Sequence, residues 1–269
     1  MAETSPLALP PIASVRLRHG IGLLTVDVSF RLTHPWTILF GPSGSGKTTI
    51  LRALAGLIRP KSGSILLRED HRQVLLLDTE SGVFVPAHRR NVKLAAQRDT
   101  LFPHLSVRGN IGYGAHGMTG DGTKFDTFTE MSIEQFRLHG VAHLPPSNLS
   151  GGERRKVEIA RAVTSAMCAR DKTLLLLDEP FSGLDARLRD DLIAHLRKSM
   201  ESFNIPVLSV THDVAEAFQL GAEVIKIADG KVVQQGPVDV VLAEERLRLL
   251  SQLGPADSPD LSSEPFLSG

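Results

Sequence analysis

The succession of apolar runs and helical stretches predicts an α/β fold built on a parallel sheet. Three observations lead there. Trp36 to Phe40 (WTILF), Thr173 to Leu177 (TLLLL) and Ile205 to Val210 (IPVLSV) are short apolar runs of the kind that fill buried strands. Around and between them lie stretches of helical spacing or composition, Lys47 to Leu57, Ser150 to Met167 and Ala186 to Met200. The first of these strands joins the first helix through Gly41-Pro42-Ser43-Gly44-Ser45-Gly46-Lys47-Thr48-Thr49, a glycine, four free residues and then Gly-Lys-Thr. Such a loop turns tightly and aims successive N–H groups inward, with the helix N-terminus behind it adding positive potential, so it reads as a phosphate-binding loop. Lys47 is placed to reach β- and γ-phosphates, and Thr48 to offer its hydroxyl to Mg²⁺.

Bulk properties narrow the classes. A chain of 269 residues suffices for one large domain or two modest ones with a filled core. Its 30 basic and 30 acidic residues cancel, which argues against a nucleic-acid binder held by a diffuse positive field. The single cysteine, Cys168, excludes an internal disulfide and favours a reducing interior; late in a helix beside Met167, it reads as core. Residues 1–12 (MAETSPLALPPI) carry an acid and three prolines where a signal sequence needs a basic start and an apolar run, and so read as a loose arm. Nothing approaches the roughly 18 consecutive apolar residues of a membrane span, so no direct membrane insertion is expected. A membrane role would run through a partner.

In chain order, Leu24 to Leu32 alternates strictly, which puts Leu24, Val26, Val28, Phe30 and Leu32 on one face of a half-buried strand. Pro60-Lys61-Ser62-Gly63 is a turn, and Ile65 to Leu67 and Val74 to Leu77 continue the same N-terminal sheet. Val92 to Ala96 is another short strand, ending at Gln97. From about Arg98 to Asn148, Gly109, Gly112, Gly114, Gly117, Gly120 and Gly122 break the pattern, and only Ser132 to Leu138 is clearly helical. This span reads as an inserted subdomain. Beyond Val210 come a helix near Val214 to Leu220, a hairpin around Asp229-Gly230 and a helix from Val238 to Leu253. Residues 254–269, rich in Ser and Pro, read as a disordered tail.

Two further stretches carry chemistry. Leu174-Leu175-Leu176-Leu177-Asp178-Glu179 sets two carboxylates at the C-terminal end of a buried strand, the edge where the phosphate loop also opens. Asp178 is placed to hold Mg²⁺ and Glu179 to polarise the water that attacks the γ-phosphate. Asp-Glu-Pro alone is an ordinary way to end a strand; the loop elsewhere in the chain tips the reading. In Leu149-Ser150-Gly151-Gly152-Glu153, Ser150 and Glu153 have the spacing of a capping box, which would suffice as a structural account. Two glycines in the first turn cost helix propensity, however, and suit a backbone that something approaches closely. This turn reads as a second anion site. Arg154, Arg155 and Lys156 behind it read as a solvated face.

These motifs, with Gln97, Ser182-Gly183-Leu184-Asp185 and Thr211-His212-Asp213, occur in the order and rough spacing of ABC ATPase subunits, and residues 13–253 resemble one complete nucleotide-binding domain. The resemblance implies a P-loop NTPase fold with a RecA-like parallel sheet core, an N-terminal antiparallel β subdomain and an α-helical subdomain inserted at about 98–165. It implies ATP and Mg²⁺ as cofactors and a head-to-tail homodimer. ATP bound by Gly41 to Thr49 of one copy would meet Ser150, Gly151 and Gly152 of the other. Gln97 would join Mg²⁺ and the attacking water, Asp185 would link the two sites, and His212 would hold the γ-phosphate and position Glu179. Taken singly, Gln97 could be an exposed strand end and His212 a surface histidine before an Asp cap.

The run Arg89-Arg90-Asn91-Val92 to Gln97, then Leu101-Phe102-Pro103-His104-Leu105-Ser106-Val107-Arg108-Gly109-Asn110-Ile111, is similar to importer ATPases for molybdate and related oxyanions, and Glu153 in place of the commoner Gln also occurs there. That likeness implies a transmembrane permease contacting Gln97 to Ile111 through Phe102, Pro103 and Leu105, at the cytoplasmic face of the membrane. The same residues could instead pack the subdomain's own small core. Two departures stand out. No Phe, Tyr or Trp lies between Val15 and Asp27 to stack on adenine, where only His19 could serve, and the chain stops soon after Leu253, where such importers commonly carry a regulatory domain. The rival readings are a soluble ABC ATPase acting mechanically on DNA or ribosomes, for which long coiled-coil insertions are missing, and a P-loop kinase, which has no need for Leu149 to Gly152.

Overall fold

The computed structural model describes residues 11–70, 72–96, 101–114, 122–169, 171–221 and 223–253. Most of the expected arm, residues 1–10, the expected tail, 254–269, and Gln97 lie outside them.

Two sheets carry the fold. The first is five-stranded, in the order β2-β1-β4-β5-β6, with β1 (Ala13–Ile21), β2 (Leu24–Leu32), β4 (Ser62–Glu69), β5 (Arg72–Asp78) and β6 (Val83–Phe84). All its pairings are antiparallel. In β2 the alternation Val26, Val28, Phe30, Leu32 is buried and Thr25, Asp27, Ser29, Arg31 exposed, as the pattern predicts. β1 was not anticipated. Its buried Ala13, Val15 and Leu17 alternate with exposed Arg16 and Arg18, and His19 and Gly20 then blur the period.

The second sheet is six-stranded, in the order β11-β10-β3-β9-β8-β7, from β3 (Trp36–Phe40), β7 (Val92–Ala95), β8 (Leu174–Asp178), β9 (Val207–Thr211), β10 (Glu223–Ala228) and β11 (Lys231–Pro237). Strands β7, β8, β9, β3 and β10 run parallel, and β11 returns antiparallel through Asp229-Gly230. The apolar runs are continuous because both faces are buried. Leu39, Leu174, Leu176, Leu208 and Val210 pack toward the first sheet with α1 (Lys47–Leu54). Ile38, Phe40, Leu175, Leu177 and Val207 pack on the helical side.

That side is built from α2 (Val107–Tyr113), α3 (Gly122–Gln135), α4 (Gly151–Met167), α5 (Ala186–Ser202) and α6 (Val214–Leu220), with Phe136 and Ile133 fully buried among them. Helix α3 begins ten residues before the expected Ser132. Its weakly amphipathic sequence, with three threonines, hid it. At the C-terminus α7 (Val238–Val241) and α8 (Ala243–Leu253) replace one expected helix, broken at Leu242. Cys168 is buried as expected, and burial pushes its thiol up to about 11.

Helix α1 stops at Leu54 because Gly56, at φ 75°, and Leu57 return their N–H groups to Ala53 and Arg52 carbonyls, a Schellman closure. Buried Arg90 completes it, donating from Nη1 to the carbonyls of Ala53 and Leu54 at 2.8 Å each. Burial lowers the Arg90 pKa to about 10.

Candidate nucleotide site

The loop between β3 and α1 is shaped by what surrounds it. A Cβ on Gly41 would sit 2.2 Å from the Ile227 carbonyl oxygen of β10, and one on Gly46 2.5 Å from Val26 Cγ2 of β2. Gly44 and Gly46 are left-handed, at φ 82° and 99°. Gly46 is also the N-cap of α1 and supplies no side-chain cap, so no side chain closes the helix's first N–H groups. Ser45 is buried with its hydroxyl unpartnered. Lys47 turns back, donating from Nζ to the carbonyls of Gly41 and Pro42 at 2.7 Å each. Its pKa is lowered by burial, against the opposing pull of Glu179 and Asp178.

A pocket of about 330 Å³ opens over Ser43, Gly44, Gly46, Lys47, Thr48 and Thr49, closed on one side by Glu179 and on another by Ile21 and Leu24 from the β1–β2 hairpin. Pro42 forms the loop's exposed shoulder. Where the sequence offered only His19 to meet a base, the structure offers two aliphatic side chains.

The carboxylates stand at the same sheet edge. Thr48 Oγ1 donates to Asp178 Oδ1 at 3.3 Å. Burial raises the Asp178 pKa, and the Thr48 bond opposes it. Glu179 has φ 48°, a left-handed backbone on a non-glycine, and its N–H donates to the Val210 carbonyl at 3.0 Å. Its Oε1 lies 3.1 Å from Nδ1 of His212, whose side chain is half exposed at the end of β9. Lys47, Thr48, Asp178, Glu179 and His212, distant in sequence, thus converge within one chain.

The turn after His212 is tightly wired. Thr211 Oγ1 donates to Glu216 Oε2 at 3.0 Å and accepts from the Asp213 N–H, while Asp213 Oδ1 caps α6 and Oδ2 pairs with Arg189 at 3.3 Å. Glu216 is buried, with Oε1 unpartnered, and burial pushes its carboxyl up to about 7. Asp185 caps α5, accepting the Leu188 N–H at 3.0 Å.

Ser150, Gly151 and Gly152 begin α4 and do not line the pocket formed by Gly44 to Thr49. Here the capping box is complete: Glu153 Oε2 accepts from both the N–H and the hydroxyl of Ser150, at 2.8 and 2.7 Å. Arg155 and Lys156 correct the sequence reading. Both are buried, at 9% exposure each, and of the three basic residues only Arg154 is partly exposed. Arg155 donates to the carbonyls of Ala96, Asp178 and Pro180 and to Glu158. Three of these four acceptors are backbone carbonyls of other elements, invisible to a helical-wheel argument, so only the fold reveals this residue. In the 101–106 loop, Asn110 clamps the chain through Phe102, Leu105 and Ser106, leaving Phe102 and Leu105 half-buried and Pro103 exposed.

The site fits the groups the sequence implies. Unclaimed N–H groups, the orphaned Ser45 hydroxyl and Lys47 suit a polyphosphate. Thr48 and Asp178 offer hard oxygen donors suited to Mg²⁺, and the described residues hold no cluster of three or more His, Cys, Asp or Glu that could bind a metal alone.

A model of the family described as ABC transporter matches residues 26–182, more than half of the chain. The chain belongs to the ABC transporter family. Among ABC relatives, the molybdenum import ATP-binding protein ModC of Mesorhizobium japonicum is 36% identical over 238 residues, covering 88% of this chain and 60% of that protein. ModC of Rhizobium meliloti is 37% identical over 235 residues, covering 86% and 61%. The chain therefore spans about three fifths of the length of the curated relatives it matches. Among solved structures, an ABC cassette dimer in a post-hydrolysis state with ADP and phosphate aligns at TM-score 0.67 with 23% identity, covering 84% of this chain and 98% of that one. CbiO1 of Clostridium perfringens, part of an ABC transporter complex, aligns at 0.70 with 22% identity, covering 91% and 95%. At that identity these two speak for the ABC cassette fold.

Proposed function

We propose that this chain is the Mg-ATP-hydrolysing subunit of an ABC importer for molybdate or a related oxyanion. Lys47, Thr48 and Glu179 lining one pocket, with Asp178 bonded to Thr48 and His212 to Glu179, carry the catalytic part. The relatives named for molybdenum import, together with the Leu101 to Ile111 run, support the cargo. Gly41 to Thr49 cradle the phosphates, and Lys47 exchanges the carbonyls of Gly41 and Pro42 for phosphate oxygens as the nucleotide enters. Mg²⁺, held by Thr48, Asp178 and Gln97, would neutralise charge on the β- and γ-phosphate oxygens. Glu179 orients and polarises the attacking water, and His212 steadies the Glu179 carboxylate and the γ-phosphate.

The working unit is a head-to-tail dimer, because Ser150, Gly151 and Gly152 stand apart from their own pocket and would meet the nucleotide of a second copy, with Asp185 near the shared boundary. Residues 13–253 form the cassette, and the helical insertion at about 98–165 presents Phe102, Pro103 and Leu105 to a permease. The subunit would then work peripherally, at the cytoplasmic face of the membrane. No helix among the described residues is long and apolar enough to cross a membrane. ATP binding closes the dimer and hydrolysis reopens it, driving the permease between its access states. The direct test is Glu179→Gln: steady-state ATPase falls more than about 100-fold while nucleotide binding is kept. Unchanged turnover would remove Glu179 from its role.

A further inference from the structure

The backbone that presents Glu179 is held from outside its own strand. Glu179 sits in a left-handed conformation, at φ 48°, which a side chain with a Cβ adopts only when its surroundings impose it. Its two flanking carbonyls, Asp178 O and Pro180 O, both accept from the guanidinium of Arg155, at 2.5 Å from Nη2 and 3.2 Å from Nε. The same group reaches the neighbouring strand, Nη1 donating to Ala96 O at 2.5 Å, one residue before Gln97. Glu158 Oε2, 3.0 Å away and itself buried, balances the charge. A planar fork with five donors can bridge three carbonyls and a carboxylate at once; an ammonium on a flexible stem cannot hold that geometry.

Arg155 also stands five residues beyond Ser150 on the same helix, about 7.5 Å along its axis. Whatever displaces or rotates the first turn of α4 moves the guanidinium with it. We infer that Arg155 is a positioning residue that transmits the seating of the Ser150-Gly151-Gly152 turn to the Glu179 backbone and to Ala96 of the same chain. The inference rests on the proposed trans contact between that turn and a second copy's nucleotide. When the turn is gripped, Arg155 pulls the carbonyls on either side of Glu179 and that of Ala96 into register together. One copy's engagement would thereby ready the other half of its own chain.

Three variants test this, read by steady-state kinetics, nucleotide binding and amide exchange. Arg155→Met should lower kcat at least about tenfold while KM and the affinity for a fluorescent ATP analogue stay within about twofold, and Arg155→Lys should fall between Met and wild type. In both, the Glu179 and Ser182 amides, bonded to Val210 O and Glu179 O, should exchange faster while the middle of α4 stays protected. Lys198→Ala, exposed on α5 and away from the site, should leave kcat unchanged. A wild-type protein without ATPase would sink the proposed function, and the exchange readout would still judge the clamp. Unchanged exchange at Glu179 in Arg155→Lys would overturn it. An equal loss of kcat and binding, tracking a lowered Tm, would reduce Arg155 to a structural residue.

Discussion

Helices α1 and α4 both begin with glycines beside a hydroxyl residue, yet the two N-termini are finished in opposite ways. At α1 the N-cap is Gly46, no side chain closes the first turn, and the buried Ser45 hydroxyl has no partner. At α4 the N-cap is Ser150, and Glu153 returns to both its N–H and its hydroxyl. Four unsatisfied N–H groups are a cost unless something meets them. The first end is thus shaped for a phosphate its own chain supplies room for, and the second is stable alone. Its glycines leave the backbone accessible without leaving it unsatisfied, which suits a surface that engages only when another copy arrives.

Breaking the open end should have the largest effect. Gly46→Ala puts a Cβ 2.5 Å from Val26 Cγ2 at φ 99°. Nucleotide affinity and turnover should both fall more than about 100-fold, measured by fluorescent-nucleotide titration and phosphate release. Retained binding would mean the loop accepts a side chain that its walls forbid.

An intermediate effect is expected behind the site, where Glu216 is buried with one oxygen unpartnered and its carboxyl raised to about 7. A folded-state pKa above the unfolded value of about 4.5 means that the folded protein holds the proton more tightly. Stability is then greatest below about pH 4.5 and is lost as pH rises towards 7. Glu216→Gln keeps an acceptor for Thr211 without the charge, so its Tm should exceed wild type by about 3 °C or more at pH 8 and converge with it near pH 5. A constant difference across that range would show that Glu216 does not titrate there.

The smallest effect belongs to the closed end. Glu153→Ala removes the capping box but leaves Ser150 bonded to the Glu153-position N–H, 3.3 Å away. Denaturant unfolding should show a loss of about 1 kcal/mol, with nucleotide affinity unchanged because the open end is untouched.

How much of this the sequence disclosed follows from the range of the interactions. The phosphate loop was legible because its chemistry is local: glycines, Lys47 and Thr48 lie within one turn of chain. The parallel strands were legible because burial on both faces leaves uninterrupted apolar runs, and the family motifs were dense enough to identify the fold. Strand β1 was missed where His19 and Gly20 dilute its alternation, and α3 where threonines flatten its amphipathic contrast. Arg155 was misread for a deeper reason. Glu158, three residues on, would read as an ordinary exposed ion pair, and the acceptors that bury Arg155 are the carbonyls of Ala96, Asp178 and Pro180. Backbone carbonyls leave no trace in sequence, and a charged run reads as solvated by default.

The division of labour between the two helix ends is tested most directly by the mass of the ATP-loaded protein. Light scattering on Glu179→Gln with saturating Mg-ATP should report a dimer, twice the 29.2 kDa chain. Adding Ser150→Arg should return it to a monomer while ATP still binds. A Glu179→Gln protein that stays monomeric with ATP bound, or a dimer indifferent to Ser150→Arg, would contradict a site completed by the second copy's α4.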